Sequence, residues 1–314
     1  MGKYALKRLL QMIPALFLVS VAVFSITHLI PGDPAQILAG PNATDVQLAA
    51  LRAQFGLDRP LWVQYFLWLQ RVLQGDLGKS FINQVPVATL LRYRIPATVE
   101  LALASTLVAV LIAFPLGILA ALKPGSLVDF SCTLFSALSF AIPGFWLAIL
   151  FILLFSLALG WLPPSGRPVL AEDPVGHVKA LVMPALTLGI GIAAKLTRYL
   201  RSSMLDVLQQ DYVCTARAKG LHERIVLVRH ALPNALIPVV TVLGLQVGDL
   251  LSGAIIVESV FAWPGVGRLT IQAVGWRDYS ILQANVLFIV LAFMVVNLLT
   301  DLTYAWIDPR IRYE

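Results

Sequence analysis

Three carboxylates lie inside, or at the edge of, long apolar stretches of this 314-residue chain: Asp249, Glu258 and Asp301. An acid held in hydrocarbon costs about 3 kcal/mol or more unless it faces a bundle interior, a partner or water. Two chemistries fit such residues, a pathway for cations or hydrogen bonds that join helices. Asp301 reads as a helix-to-helix bond, Asp249 fits both equally, and Glu258 sits near the end of its stretch. His28 and Lys195 lie close enough to stretch ends for their polar tips to reach water. Other reactive residue types do not cluster. His28, His177, His222 and His230 are scattered, and Cys132 and Cys214 match no zinc spacing. No G-x-S-x-G nucleophile motif occurs. Gly78-Lys79-Ser80 has the end of a phosphate-binding loop, but that motif needs a glycine five residues before Gly78, where Leu73 stands. The residues therefore predict no enzyme, and any ATP-derived energy must enter through a partner.

The elements that carry these residues are membrane spans. Hydrophobic residues make up 59% of the chain and charged ones 13%, against about 25% charged in a soluble domain. Six stretches approach the ~20 residues needed to cross a bilayer as helix: about 13–30, 99–122, 132–161, 181–200, 237–257 and 283–306. The runs do not alternate as barrel strands would, so the fold class is all-α, a polytopic membrane protein of six transmembrane helices. The basic start before the first stretch resembles a signal peptide but lacks a small-residue cleavage pattern, and it reads as a retained helix. The net charge of +6 is better explained by membrane orientation than by nucleic acid. Lys and Arg are denser in the segments that would be cytoplasmic with the N-terminus inside, among them Lys3, Lys7, Arg8, Arg217, Lys219 and Arg224, so the expected topology is N-in/C-in.

Between the spans, 45–55 and 61–73 repeat apolar residues at helical spacing. The second carries Trp62, Tyr65, Phe66 and Trp68 and suits either the membrane surface or a lid over the bundle mouth. Pro143-Gly144 predicts a kink or break in the third span. Gly244, Gly248 and Ser252 form a small-residue face that permits close helix packing, within the chain or against a second subunit. In the loop over 201–236, Ala216–Lys219 predicts a short helix stopped by Gly220. Its small residues would admit a partner protein, or the loop packs on its own bundle.

Several ordered stretches then give the chain a family likeness. They are Ile30-Pro31-Gly32-Asp33-Pro34, Gly56-Leu57-Asp58-Arg59-Pro60-Leu61, Pro96-Ala97-Thr98-Val99-Glu100-Leu101 and Gly160-Trp161-Leu162-Pro163. Further on come 211–221, 229–235, Phe261-Ala262-Trp263-Pro264-Gly265-Val266-Gly267-Arg268, Arg277-Asp278-Tyr279 and Asp308-Pro309-Arg310-Ile311-Arg312. Over essentially its full length the chain resembles the B-type permease subunits of bacterial and archaeal dipeptide, oligopeptide, glutathione and nickel ABC importers. The general importer motif begins Glu-Ala-Ala, has a glycine four residues on and ends Ile-x-Leu-Pro. Aligned on Gly220, this chain has Cys214, Thr215 and Ala216, then His230, Leu232 and Pro233, so the glutamate and isoleucine are absent.

The resemblance implies a type I importer permease in the cell inner membrane. It implies a second homologous permease, two cytoplasmic ATPase domains that hold ATP and Mg, and an external substrate-binding protein that delivers di- or oligopeptides. This chain would itself bind no cofactor and no nucleic acid. ATPase coupling would fall to Thr215, Ala216, Arg217, Ala218, Lys219, Gly220 and Leu221, and Asp249, Glu258, Asp301, Gly244 and Gly248 are candidates for the path or an interface. Three parts are expected: 1–30, the N-terminus and first helix; 31–98, a structured external loop; and 99–314, the core permease domain. Alternatives are the same machinery carrying nickel or a metal chelate, an ion-coupled secondary carrier, and a membrane scaffold that transports nothing.

Overall fold

The computed structural model describes residues 2–29, 43–56 and 58–307. Leu57, the Ile30–Pro34 stretch and the Asp308–Arg312 stretch lie outside the described residues. Helices run over Gly2–Leu29 (α1), Asp45–Phe55 (α2), Leu61–Leu73 (α3) and Val87–Leu122 (α4). They continue with Leu127–Ala141 (α5), Gly144–Phe151 (α6), Pro174–Leu208 (α7) and Asp211–Ala218 (α8). The last are Glu223–Ile225 (α9), Leu232–Val260 (α10), Val266–Trp276 (α11) and Tyr279–Ile307 (α12). Among the described residues the one extended pairing is an isolated bridge between Lys79 and Pro86.

Among the described residues, five helices are long and apolar enough to cross a membrane. A sixth candidate is α5 with α6, bent by 100° at Ile142-Pro143. Proline cannot donate to the ladder, and Ile142 adopts extended backbone (ψ 118°), so the chain turns sharply rather than kinking. Beyond Phe151 the helix widens to a π-helix over Ile152–Ala158.

The sequence starts the second span at Val99, but α4 begins at Val87 and runs straight through Pro96. Val87 and Leu91 are buried against Val266, Leu269 and Ala273 of α11, and that tertiary packing holds the extra turns. Helix α11, which periodicity left unassigned, exists for the same reason: its apolar residues close the end of the bundle.

The centre is α4 against α7. Ala102, Ala109, Ala113 and Ala121 meet Ile192, Ala193, Leu196 and Leu200. A Cβ on Gly189 would stand 2.7 Å from Val108 Cγ1, and one on Gly117 would stand 3.0 Å from Leu200 Cβ. Small residues thus bring the two backbones together, which matters where no hydrophobic force separates helix from lipid. The pairings 108 with 189 and 117 with 200 make α4 and α7 parallel. Gly244 faces Thr300 and Gly248 faces Phe293, so α10 and α12 are antiparallel. Arg8 pairs with Asp301 at 3.2 Å, which sets the start of α1 beside the end of α12. The described ends of the chain and α8 therefore share one end of the bundle.

Helices α2 and α3 have the bounds expected from sequence. Thr44 and Gln47 form a reciprocal capping box, and Gly56 (φ 68°) ends α2 in the left-handed region. Helix α3 packs against α1. The Tyr65 hydroxyl and Ser20 Oγ are 2.8 Å apart, and Tyr65 meets Phe17 and Phe24 edge to face.

Candidate functional site

The loop between α7 and α10 is built from short, tied pieces. Helix α8 begins at Asp211, five residues before the expected Ala216, because Val213 and Ala216 fit a pocket with Val226, Val207 and Leu208. This leaves Cys214, Thr215, Arg217, Ala218, Lys219 and Gly220 on the exposed side. Leu221 follows, 38% exposed. Gly220 has φ 76° and a Cβ there would meet nothing within 4 Å. Glycine is needed at this point for its backbone conformation, and the space above it is open to a partner.

Two polar ties lock the loop. Arg217 donates to both Glu223 oxygens, from Nε at 3.1 Å and Nη2 at 2.7 Å. The Glu223 carboxylate pushes the Arg217 guanidinium above its ordinary value. Asn234 Nδ2 donates to the Tyr212 hydroxyl at 3.0 Å, joining α8 to the first turn of α10. Between them a π turn over Val226–Ala231 leads directly into α10. Side chain and backbone together thus join α8 to α10.

The three acids have three different surroundings. Glu258 is fully buried. Its Oε1 accepts from Thr98 Oγ1 at 2.7 Å and its Oε2 from the Arg268 amide at 2.9 Å. Thr98 in turn accepts from the Val266 amide at 2.8 Å. A Cβ on Gly265 would collide with the carboxylate. Glu258 is thus a clasp between α4, the end of α10 and the start of α11. Asp301 bonds Arg8, as described. Asp249 lies on an exposed face of α10, and the Gln246 amide reaches its Oδ2 at 3.3 Å. Gly244 and Gly248 pack inside the chain against α12.

Sequence reasoning missed how much is clasped at the end away from α8. Trp263, fully buried, donates its indole N–H to Ala97 O at 2.8 Å. Glu100 accepts from Arg167 Nη2 at 2.6 Å and meets His177 Nε2, while Arg167 lies over the Trp263 ring. Asp278 accepts from Ser80 Oγ at 2.5 Å and the Phe81 amide at 3.0 Å. Ser80 is thereby committed to a structural corner, as suits a segment that is not a phosphate loop. The one available signal was that Ala97, Glu100, Trp263 and Asp278 fall in the motif stretches 96–101, 261–268 and 277–279; Ser80, Phe81, Arg167 and His177 lie outside them.

Comparison with known proteins accords with this arrangement. Residues 113–313 match the family described as "Binding-protein-dependent transport system inner membrane component", and residues 1–102 match the corresponding N-terminal family. The glutathione transport system permease protein GsiC of Salmonella paratyphi A is 45% identical over 314 residues, covering all of both chains. The protein of that name from Escherichia coli (strain K12) is 43% identical over the same span. Among solved structures, the inward-facing MetNI methionine ABC transporter superimposes with a TM-score of 0.56 at 19% identity, covering 70% of this chain and 96% of that one. An amino acid ABC transporter gives 0.51 at 16% identity, covering 69% and 93%. These two likenesses speak to fold. The chain belongs to the binding-protein-dependent transport system inner membrane components, as a B-type permease subunit of the peptide, glutathione and nickel branch of ABC importers.

Proposed function

We propose that this chain forms half of an inner-membrane path for di- or oligopeptides, glutathione-sized ones included, delivered by an external binding protein. The observation that carries the cargo class is the identity of 45% to a glutathione permease along the whole of both chains. The partners would be a second, homologous permease and two cytoplasmic ATPase domains, where ATP is hydrolysed. Residues 215–221 would dock on an ATPase, since they combine an open left-handed turn at Gly220 with an exposed face of Thr215, Arg217, Ala218 and Lys219, while Ala216 anchors the helix to its own loop. Of the expected three-part division, the boundary at 98–99 falls inside α4, so the core would begin with that helix at Val87.

In this reading the chain crosses the membrane six times, with both termini in the cytoplasm. The parallel packing of α4 and α7 and the antiparallel packing of α10 and α12 support that count, and the Arg8–Asp301 pair supports a common side for the termini. The test is ATP-dependent uptake by the complex reconstituted in liposomes with its genomic partners. Di- and tripeptides, glutathione, nickel and nickel chelate are offered together and followed by mass spectrometry. Accumulation of peptide is expected; accumulation of metal without peptide would overturn the cargo class.

A further inference from the structure

At the end of the bundle away from α8, one buried histidine has a hydrogen-bond acceptor at each ring nitrogen. His177, in the first turn of α7, is 1% exposed. Its Nδ1 lies 2.7 Å from the Pro168 carbonyl, and a carbonyl oxygen only accepts. Its Nε2 meets Glu100 Oε1 of α4. The other Glu100 oxygen is taken: Oε2 accepts from Arg167 Nε at 2.9 Å and from Nη2 at 2.6 Å.

A neutral imidazole carries one N–H and a carboxylate carries none. Such a pair makes one of the two bonds, never both. Both form when the pair holds one further proton, as an imidazolium facing a carboxylate or as a neutral ring facing a carboxylic acid. Without that proton a lone pair of the ring faces an oxygen, and the ring is too deeply buried for water to restore the bond. The proton has a route, because the Glu100 and Arg167 side chains are 24% and 26% exposed. Glu100 from α4 and Arg167 from the preceding segment are the charged groups that act on the ring. From the third side the ring meets Trp263, which carries no charge and lies under Arg167. Neighbouring charges are engaged elsewhere or exposed. Asp173 caps α7 through the Gly176 amide, Glu258 holds Thr98 and the Arg268 amide, Arg94 acts on Glu258 and Arg268, and Glu172 and Lys179 are exposed.

We propose that Glu100 and His177 form a proton-binding site that latches the 167–173 segment to α4 and α7. The proton is bound at low pH and leaves as pH rises, so the latch is complete below that step and released above it. Opening of the path at this end has to part α4 and α7 from that segment, so the bound proton opposes it. The latch stands on the bonds alone; its effect on transport rests on the peptide reading above.

The test uses the complex with its genomic partners in lipid nanodiscs, where both faces share one pH. Hydrogen–deuterium exchange is followed over 167–177 from about pH 5 to about pH 9, spanning the range in which a histidine titrates, with rates corrected for the intrinsic pH dependence of amides. The Glu172 and Asp173 amides, bonded to the Val169 carbonyl at 3.0 and 2.9 Å, are the reporters. The unsubstituted complex is expected to lose protection about tenfold, the effect of one buried bond, in a single one-proton step as pH rises. In Glu100→Gln the side-chain amide donates to a neutral Nε2 while its oxygen still accepts from Arg167, so protection should persist at every pH with no step. His177→Phe keeps a ring without a donor and should be loose throughout. Absence of a step in the unsubstituted complex, a step that survives in Glu100→Gln, or a Glu100→Gln segment that is loose at every pH would each overturn the site, and these outcomes decide it even where His177→Phe does not assemble. ATP-dependent peptide uptake should show the same step, lost in Glu100→Gln; identical uptake profiles would overturn the effect on transport. A complex that imports no peptide would sink the peptide reading, while the exchange experiment still decides the latch.

Discussion

Gly248→Ala probes whether the small-residue face of α10 is an internal seam. A Cβ at this position would stand 2.6 Å from Phe293 Cδ2 and Cε2, so the ring must retreat by roughly 1 Å within packed helices. Overfilling of this kind costs about 1–3 kcal/mol. Alanine recovers about 1 kcal/mol through its better helix propensity, which leaves a net loss near 1 kcal/mol and a melting midpoint lower by about 2 °C. The assay is thermal unfolding of the purified permease pair in detergent, run as a double-mutant cycle with Phe293→Leu. Once the ring is gone the added methyl no longer collides, so the double variant should melt no lower than Phe293→Leu alone. A Gly248→Ala variant that melts higher than the parent would show that no ring stands in the way. Unchanged melting with loss of permease pairing would assign the face to the subunit interface and refute the reasoning.

Gly220→Leu has room for its side chain but not for its backbone, since φ of 76° strains any non-glycine residue by about 1–2 kcal/mol. The expected outcome is ATP hydrolysis that continues while uptake per ATP falls several-fold; a normal ratio would remove Gly220 from the coupling surface. Tyr212→Phe deletes the bond to Asn234 and should lower the same ratio with little change in melting, because an exposed hydrogen bond contributes about 1 kcal/mol. Trp263→Ala empties a fully buried site and removes the indole bond to the Ala97 carbonyl, which should destabilise the chain by about 3–5 kcal/mol in the same melting assay. Asp278→Ala frees Ser80 and Phe81 and should expose the 77–86 segment to limited proteolysis.

Local chemistry accounts for what was legible from sequence. A span announces itself through some twenty apolar residues, whatever surrounds it. Helix α2 is marked by Thr44, Gln47 and Gly56, all within or next to the element they bound. The left-handed turn at Gly220 is likewise a property of one residue. The motif stretches carried the family, because they are long, ordered and spread along the chain.

The fate of each polar residue was a different matter. Asp249, Glu258 and Asp301 are alike in sequence, each an acid in an apolar run. Glu258 is clasped by Thr98, 160 positions away, Asp301 is held by Arg8, and Asp249 lies on an exposed face of α10. No local pattern separates them, since the difference lies in which face of a helix meets which neighbour. The early start of α4 and the existence of α11 have the same origin: each is stabilised by the other's apolar side chains, not by its own signals. Sequence by itself determined an all-α membrane permease and the left-handed turn at Gly220 in its loop between the fourth and fifth spans. Only the tertiary structure decided which acid is buried in a clasp, which pairs across helices and which lies on an exposed helix face, because burial and partnership are properties of the packed bundle.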